Sequence, residues 1–203
     1  MKTCEYSGEA LAAVRSHPWT DAVSSAAFRY LDLRASPSLI RTSLEDFVAW
    51  SGEPAIEVFY LLLEWLNGAT STLESNDCAF TGPHRSERVE VGKAFECSGR
   101  VMVLFRDLAR NLAPPELAAL TRSLHRALAP ADPDFEDGVI GTTLVPVRYL
   151  RLPVPEDAQL GAQLMLSFWA WGDTSAACMR NVGRALENLS RALRDVDGNS
   201  HQG

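Results

Sequence analysis

The stretch AQLMLSFWAWGDTSAACMRNVGRALENLSRALRDV, residues 162–196, decides the fold. From Gln163 to Trp171 the side chains alternate. Leu164, Leu166, Phe168 and Ala170 fall on one face, and Met165, Ser167, Trp169 and Trp171 on the other, the period of two that marks a strand. Gly172-Asp173-Thr174 breaks that pattern. Met179, Val182, Leu186, Leu189, Leu193 and Val196 then recur at steps of three and four, so a long helix carries one continuous apolar stripe that must be covered. The strand beside it is the natural cover.

The same alternation appears upstream. Lys93 to Arg106 places Phe95, Cys97, Val101, Val103 and Phe105 together, with Gly99 read as a bulge. Pro114-Pro115-Glu116 opens a helix whose buried stripe is Leu117, Leu120, Leu124 and Leu128. Val139 to Leu152 is strand-like, with Pro146 implying an edge or a bend. Leu73 to Phe80 reads as a further strand, and Thr81 to Arg88 as a charged, exposed and mobile loop. The fold class is therefore α+β. Residues 69–197 form an antiparallel ββαββα domain with both helices on one face, preceded by a helical region over residues 1–68 and followed by a disordered tail, 198–203.

Within the first region, residues 7–34 read as two helices broken at His17-Pro18. Ser43-x-x-Asp46 resembles a capping box. Gly52 stops a short helix, and Pro54 to Asn67 forms the most hydrophobic helix of the chain.

The 203 residues carry a net charge of -7 and are 46% apolar, enough for a substantial core and the wrong sign for a polyanion partner. The N-terminus lacks an apolar signal region, and the longest apolar run, Val58 to Leu63, is far too short to cross a bilayer. Cys4, Cys78, Cys97 and Cys178 are widely spaced and free of C-x-x-C pairs. A cytoplasmic protein without a membrane or nucleic-acid partner is expected.

Two resemblances follow from these elements. The run Ser43 to Pro54 and the helix after it resemble a helix-turn-helix or winged-helix module. That helix bears Glu53, Glu57 and Glu64 and no Lys or Arg, so a degenerate winged-helix shape reused for protein contact fits better than a DNA reader. The strand Lys93 to Arg106, the helix Pro115 to Ala129, the two later strands, the helix Thr174 to Val196 and the acidic pI are similar to the type III secretion chaperone class. This likeness covers about 60% of the chain and implies a bacterial-type protein that binds another polypeptide.

Four residues are candidates for partner binding. Trp169 and Trp171 share the strand face opposite Leu164 and Phe168, and Arg180 and Arg184 belong to a charged stripe with Glu187, Arg191 and Arg194. Arg184-Glu187-Arg191 pairs are expected along that stripe. Asp77, Cys78, His84 and Cys97 are the nearest approach to a reactive cluster, since a thiolate and an imidazole can form a nucleophile-base pair or take a zinc ion. Their spacing matches no compact module, and Cys97 shares its face with Phe95 and Val101. Asp132-x-Asp134-x-Glu136-Asp137-Gly138 misplaces the glycine of a calcium loop and reads as a solvated turn. No metal or cofactor is implied. The expected function is a non-enzymatic protein-binding module, acting as chaperone, accessory or immunity-like factor and forming a homodimer. The alternative is a small-molecule enzyme or ligand-binding protein with a pocket between the helical and α+β parts, using Cys78, His84 or Arg100.

Overall fold

A computed structural model of the chain describes residues 1–5, 14–18 and 31–199. Six strands form one mixed sheet: β1 (Lys2–Glu5), β2 (Arg15–His17), β3 (Leu73–Arg85), β4 (Phe95–Phe105), β5 (Gly138–Tyr149) and β6 (Leu160–Gly172). Their order is β1-β5-β6-β4-β3, with β2 also on β5. The helices are α1 (Glu45–Val48), α2 (Pro54–Asn67), α3 (Pro114–Leu128) and α4 (Ser175–Asn199).

The strand and helix at residues 162–196 sit at the centre of this arrangement. β6 pairs antiparallel with both β4 and β5, and α4 lies across it. Thr174 starts α4, its hydroxyl accepting the Ala177 amide at 3.1 Å. Gly172 lets the first turn come down on the strand, because a Cβ there would lie 2.4 Å from the Cys178 nitrogen. The helix runs on to Asn199, so residues 198 and 199 of the expected tail are helical, and residues 200–203 lie outside the described residues.

Three helices cover the face bearing Leu164, Leu166 and Phe168. Phe59 of α2 meets Phe168 at 5.6 Å between ring centroids, and His125 of α3 hydrogen-bonds Thr142 at 2.9 Å. Phe47, Phe59, Phe80 and Phe168 form a contiguous aromatic cluster. Gly99 is not a bulge. It stays in register between Phe80 and Phe168, where a Cβ would lie 2.3 Å from the Phe168 ring.

The N-terminal region departs from the helical reading. β1 and β2 are short parallel strands on the outer edge of β5, so the sheet is mixed where antiparallel pairing was expected. Strands of four and three residues leave too little sequence for a period of two to register. The His17–Pro18 peptide, taken as a break between helices, is cis and ends β2. The rest of the two helices expected over residues 7–34 falls mainly on residues 7–13 and 19–30, outside the described residues. β1 pairs with Val139 to Thr142 and β2 with Val147 to Tyr149. Pro146 falls in the interval between them, where its missing N–H costs that edge no hydrogen bond.

Two further expectations change. Residues 81–85, read as a mobile loop, continue β3 to Arg85, with a register shift between Thr81 and His84 absorbing Gly82-Pro83. Ser43 does not cap α1: the cap position is Leu44, without a side-chain hydrogen bond. Glu57 and Glu64 of α2 both bind Arg41, at 2.8 and 2.6 Å.

The C-terminal end of α2 depends on a residue far along the chain. Nη2 of Arg106 donates to the Leu66 carbonyl at 3.1 Å and also to that of Gly68. These carbonyls have no partner within the helix. Arg106→Ala is expected to destabilise the fold by about 2 kcal/mol, read as a lower urea midpoint at unchanged slope.

Candidate functional site

α4 projects Met179, Gly183 and Arg180 toward the start of α2, and the two helices bound an open groove of about 490 Å³. Its floor is apolar: Ala55 and Val58 from α2, Met179 and Gly183 from α4. Gly183 sets the depth, since a Cβ there would lie 3.4 Å from Ala55 Cα and Cβ.

The rim is charged. Arg184 grips Asp132 with two hydrogen bonds, Nε to Oδ2 at 2.6 Å and Nη2 to Oδ1 at 2.7 Å, and its guanidinium lies 4.7 Å from the Phe135 centroid. Asn188 donates to the same carboxylate at 3.2 Å. Arg184 holds the Asp132 carboxyl below the usual carboxylate range. The expected Arg184-Glu187-Arg191 pairs are not made. Arg184 turns to Asp132, which lies after α3 in the chain, and Arg194 lies 4.8 Å from the Trp65 ring. Arg180 and Arg191 are exposed, and no carboxylate among the described residues pairs with either.

Trp169 and Trp171 lie on the opposite face of the sheet from this groove. Trp171 is buried, its indole N–H donating to Glu96 at 2.9 Å. Arg88 binds the same carboxylate at 3.2 Å and lies 6.0 Å from both indole rings. Trp169 is half-buried. The two tryptophans therefore do not form one exposed patch with the arginines of α4.

The proposed reactive cluster is split between the faces of the sheet. Cys78 and Cys97 face the helices. Asp77 points the other way, and His84 is exposed, its Nδ1 3.0 Å from the Gly82 carbonyl. Burial pushes the Cys78 thiol up, away from the thiolate that nucleophilic chemistry needs.

A polar cluster that the spacing gave no reason to assemble lies on the face away from the helices. A register shift in β3 between Ser75 and Asp77 interrupts the alternation at Asn76. Asn76 Nδ2 donates to Gln163 Oε1 at 2.8 Å and lies 3.2 Å from His17 Nδ1. Beside them Asp77 is held by Arg15 at 2.9 Å and Arg100 at 3.2 Å. Asn76 Oδ1, Gln163 Nε2 and Arg100 Nε are buried with no hydrogen-bond partner among the described residues. Each such group costs roughly 1–3 kcal/mol in a folded interior. The cluster joins residues 15, 17, 76, 77, 100 and 163, and the one sequence signal that bears on it is the polar Gln163 in a largely apolar strand.

Among the described residues no group of three or more His, Cys, Asp or Glu side chains is placed to hold a metal ion. No described helix is long and apolar enough to cross a membrane. Comparison with protein-family models, with curated proteins and with solved structures gives no match.

Proposed function

We propose that this protein is a binding module for another polypeptide, with the groove between α2 and α4 as its docking surface. The observation that carries the reading is the pairing pattern on α4. Arg184 is committed to Asp132, while Arg180 and Arg191, which pair with no carboxylate among the described residues, stand beside the apolar floor of Ala55, Val58 and Met179, with Glu53 and Glu187 on the same rim. An apolar anchor with free cations at its edges suits a short segment that offers an apolar side chain flanked by carboxylates. The net charge of -7 opposes an extended polyanion, so the complementarity is local and limited to those two arginines. The α1–turn–α2 segment, winged-helix-like in sequence, serves in this reading as protein contact, because Glu53 and Pro54 line the groove. Chaperone, accessory and immunity-like roles are all consistent with it.

Native mass spectrometry of the protein gently purified from its own host tests the reading when paired with the Arg180→Glu/Arg191→Glu variant. A second polypeptide bound to the wild type and lost by at least about tenfold from the variant is expected, with thermal unfolding unchanged. Retention of that polypeptide by the variant would remove the groove from its recognition.

A second reading, a ligand-binding protein or small-molecule enzyme, is favoured by the three orphaned polar atoms around Asn76, Gln163 and Arg100. They lie on the sheet face away from α2, α3 and α4, where Arg15 and His17 of residues 1–68 meet Asn76, Asp77 and Gln163 of residues 69–197. The same spectra would support it if the protein carried a small molecule that Arg100→Ala no longer retained.

A further inference from the structure

Among the described residues, Cys97 and Cys178 bring two thiols into direct contact. Cys97 sits on β4 opposite Ala170 of β6, and Cys178 is in the first turn of α4. Their sulphurs are 2.9 Å apart, well inside ordinary non-bonded contact, and both side chains are fully buried. Two features hold them there. Gly172 admits the first turn of α4 onto the sheet, and the Cys178 thiol lies 3.3 Å from the Ala170 carbonyl, on the residue paired with Cys97. Met179 Sδ, 3.8 Å from Cys97, completes a sulphur-rich pocket. A disulfide needs a sulphur separation of about 2.0 Å. From 2.9 Å, the two sulphurs have only about 0.9 Å left to close.

We propose that Cys97 and Cys178 are a dithiol that closes to a disulfide, tying α4 to the centre of the sheet. The step is an exchange with a small oxidised disulfide. Each cysteine loses its proton, one S–S bond forms between them, and the electron pair reduces the small disulfide to two thiols. The hydrogen bond from Cys178 and, after it, burial hold the Cys97 thiol well above its ordinary range, so few thiolates exist in the closed fold. Exchange therefore proceeds when the first turn of α4 opens, and mild denaturant accelerates it. The bond closes a loop of about 80 residues, which constrains the unfolded chain strongly. The inference does not depend on the groove's role, although Met179 and Arg180 of the groove immediately follow Cys178.

Oxidised glutathione is the probe, applied to the wild-type protein in buffer and in urea below its unfolding transition. Remaining thiols are then alkylated in acid before peptide mapping. The expected product is a cross-linked pair of peptides containing Cys97 and Cys178. With it come a loss of two hydrogens in intact mass and a rise in Tm of about 5 °C or more that reductant reverses. Cys97→Ser should show neither change, whereas Cys4→Ser should behave as wild type. Recovery of Cys97 and Cys178 as alkylated or glutathione-capped peptides under both conditions would overturn the proposal. So would a cross-link to Cys4 or Cys78 in place of this one.

Discussion

Phe168→Ala is expected to destabilise the protein by about 4 kcal/mol, in the upper range for an aromatic removed from a close-packed core. Phe168 is fully buried on the central strand. Its ring is met from three directions: by Phe59 at 5.6 Å, by Phe80 at 6.5 Å, and by the Gly99 backbone, which leaves no room even for a methyl group. Backbone cannot collapse into the vacated space as a flexible side chain would, so the cavity persists. For a chain of this length the loss corresponds to a fall in Tm of roughly 10 °C. Phe168→Leu should cost less than about 2 kcal/mol. Leu144→Ala, at a position 38% exposed, should cost about 1 kcal/mol or less.

The same substitution tests how the chain is divided. Phe47 and Phe59 belong to residues 1–68, and Phe80 and Phe168 to residues 69–197, yet the four rings form one cluster. A shared core predicts a single unfolding transition, detected together by far-ultraviolet circular dichroism and tryptophan fluorescence, that moves as a whole in Phe168→Ala. Two separate transitions, one unaffected by the substitution, would show that the helical region folds independently.

Legibility in the sequence followed the length of each element. β6 and α4 were readable because nine alternating residues and six apolar residues at helical spacing repeat a period often enough to outweigh local exceptions. β4 and α3 were readable for the same reason. β1 and β2 were not, because their place in the sheet is set by the exposed edge of β5 and not by their own pattern. The extension of β3 through Gly82-Pro83 was hidden by two residues that usually mark a turn. There Trp50 lies over Gly82, where a Cβ would come within 2.1 Å of the indole.

The sites show the same limit in another form. Arg180 and Arg184 look equivalent on a helical wheel, and the difference between them is Asp132, a residue far away in sequence. Cys97 was visible as a core residue, but its partner Cys178 could be found only from the packing of α4 on β6. The cluster around Asn76 depends on a shift in strand register and on β2, neither of which leaves a periodic trace.

His17 makes the protein's response to acid specific enough to measure. It is buried at the end of β2, its ring edge-on to Tyr149 at 5.7 Å, with Nδ1 facing the Asn76 amide. Burial, reinforced by the charge of Arg151 and opposed by that of Asp32, lowers its pKa from 6.5 to about 4. Glu74, 3.9 Å from Nε2, is itself pushed up by burial, against the pull of Arg34, whose Nη1 lies 3.4 Å from its Oε2. The unfolded chain protonates His17 near pH 6.5 and the folded chain only near 4. Proton uptake therefore favours unfolding between those values. The stabilisation is fully present above pH 6.5 and is lost as the pH falls toward 4, by about 3 kcal/mol over the interval. Glu74 acts in the opposite sense, because a raised carboxyl pKa makes the folded state the better proton acceptor near its own titration. Urea unfolding of the wild type and of His17→Gln at several pH values across this interval separates the two. The wild type should lose stability steadily, and the variant should lose less than half as much. Parallel slopes would assign the acid response to the carboxylates and show that His17 takes up its proton as readily in the fold as in the unfolded chain.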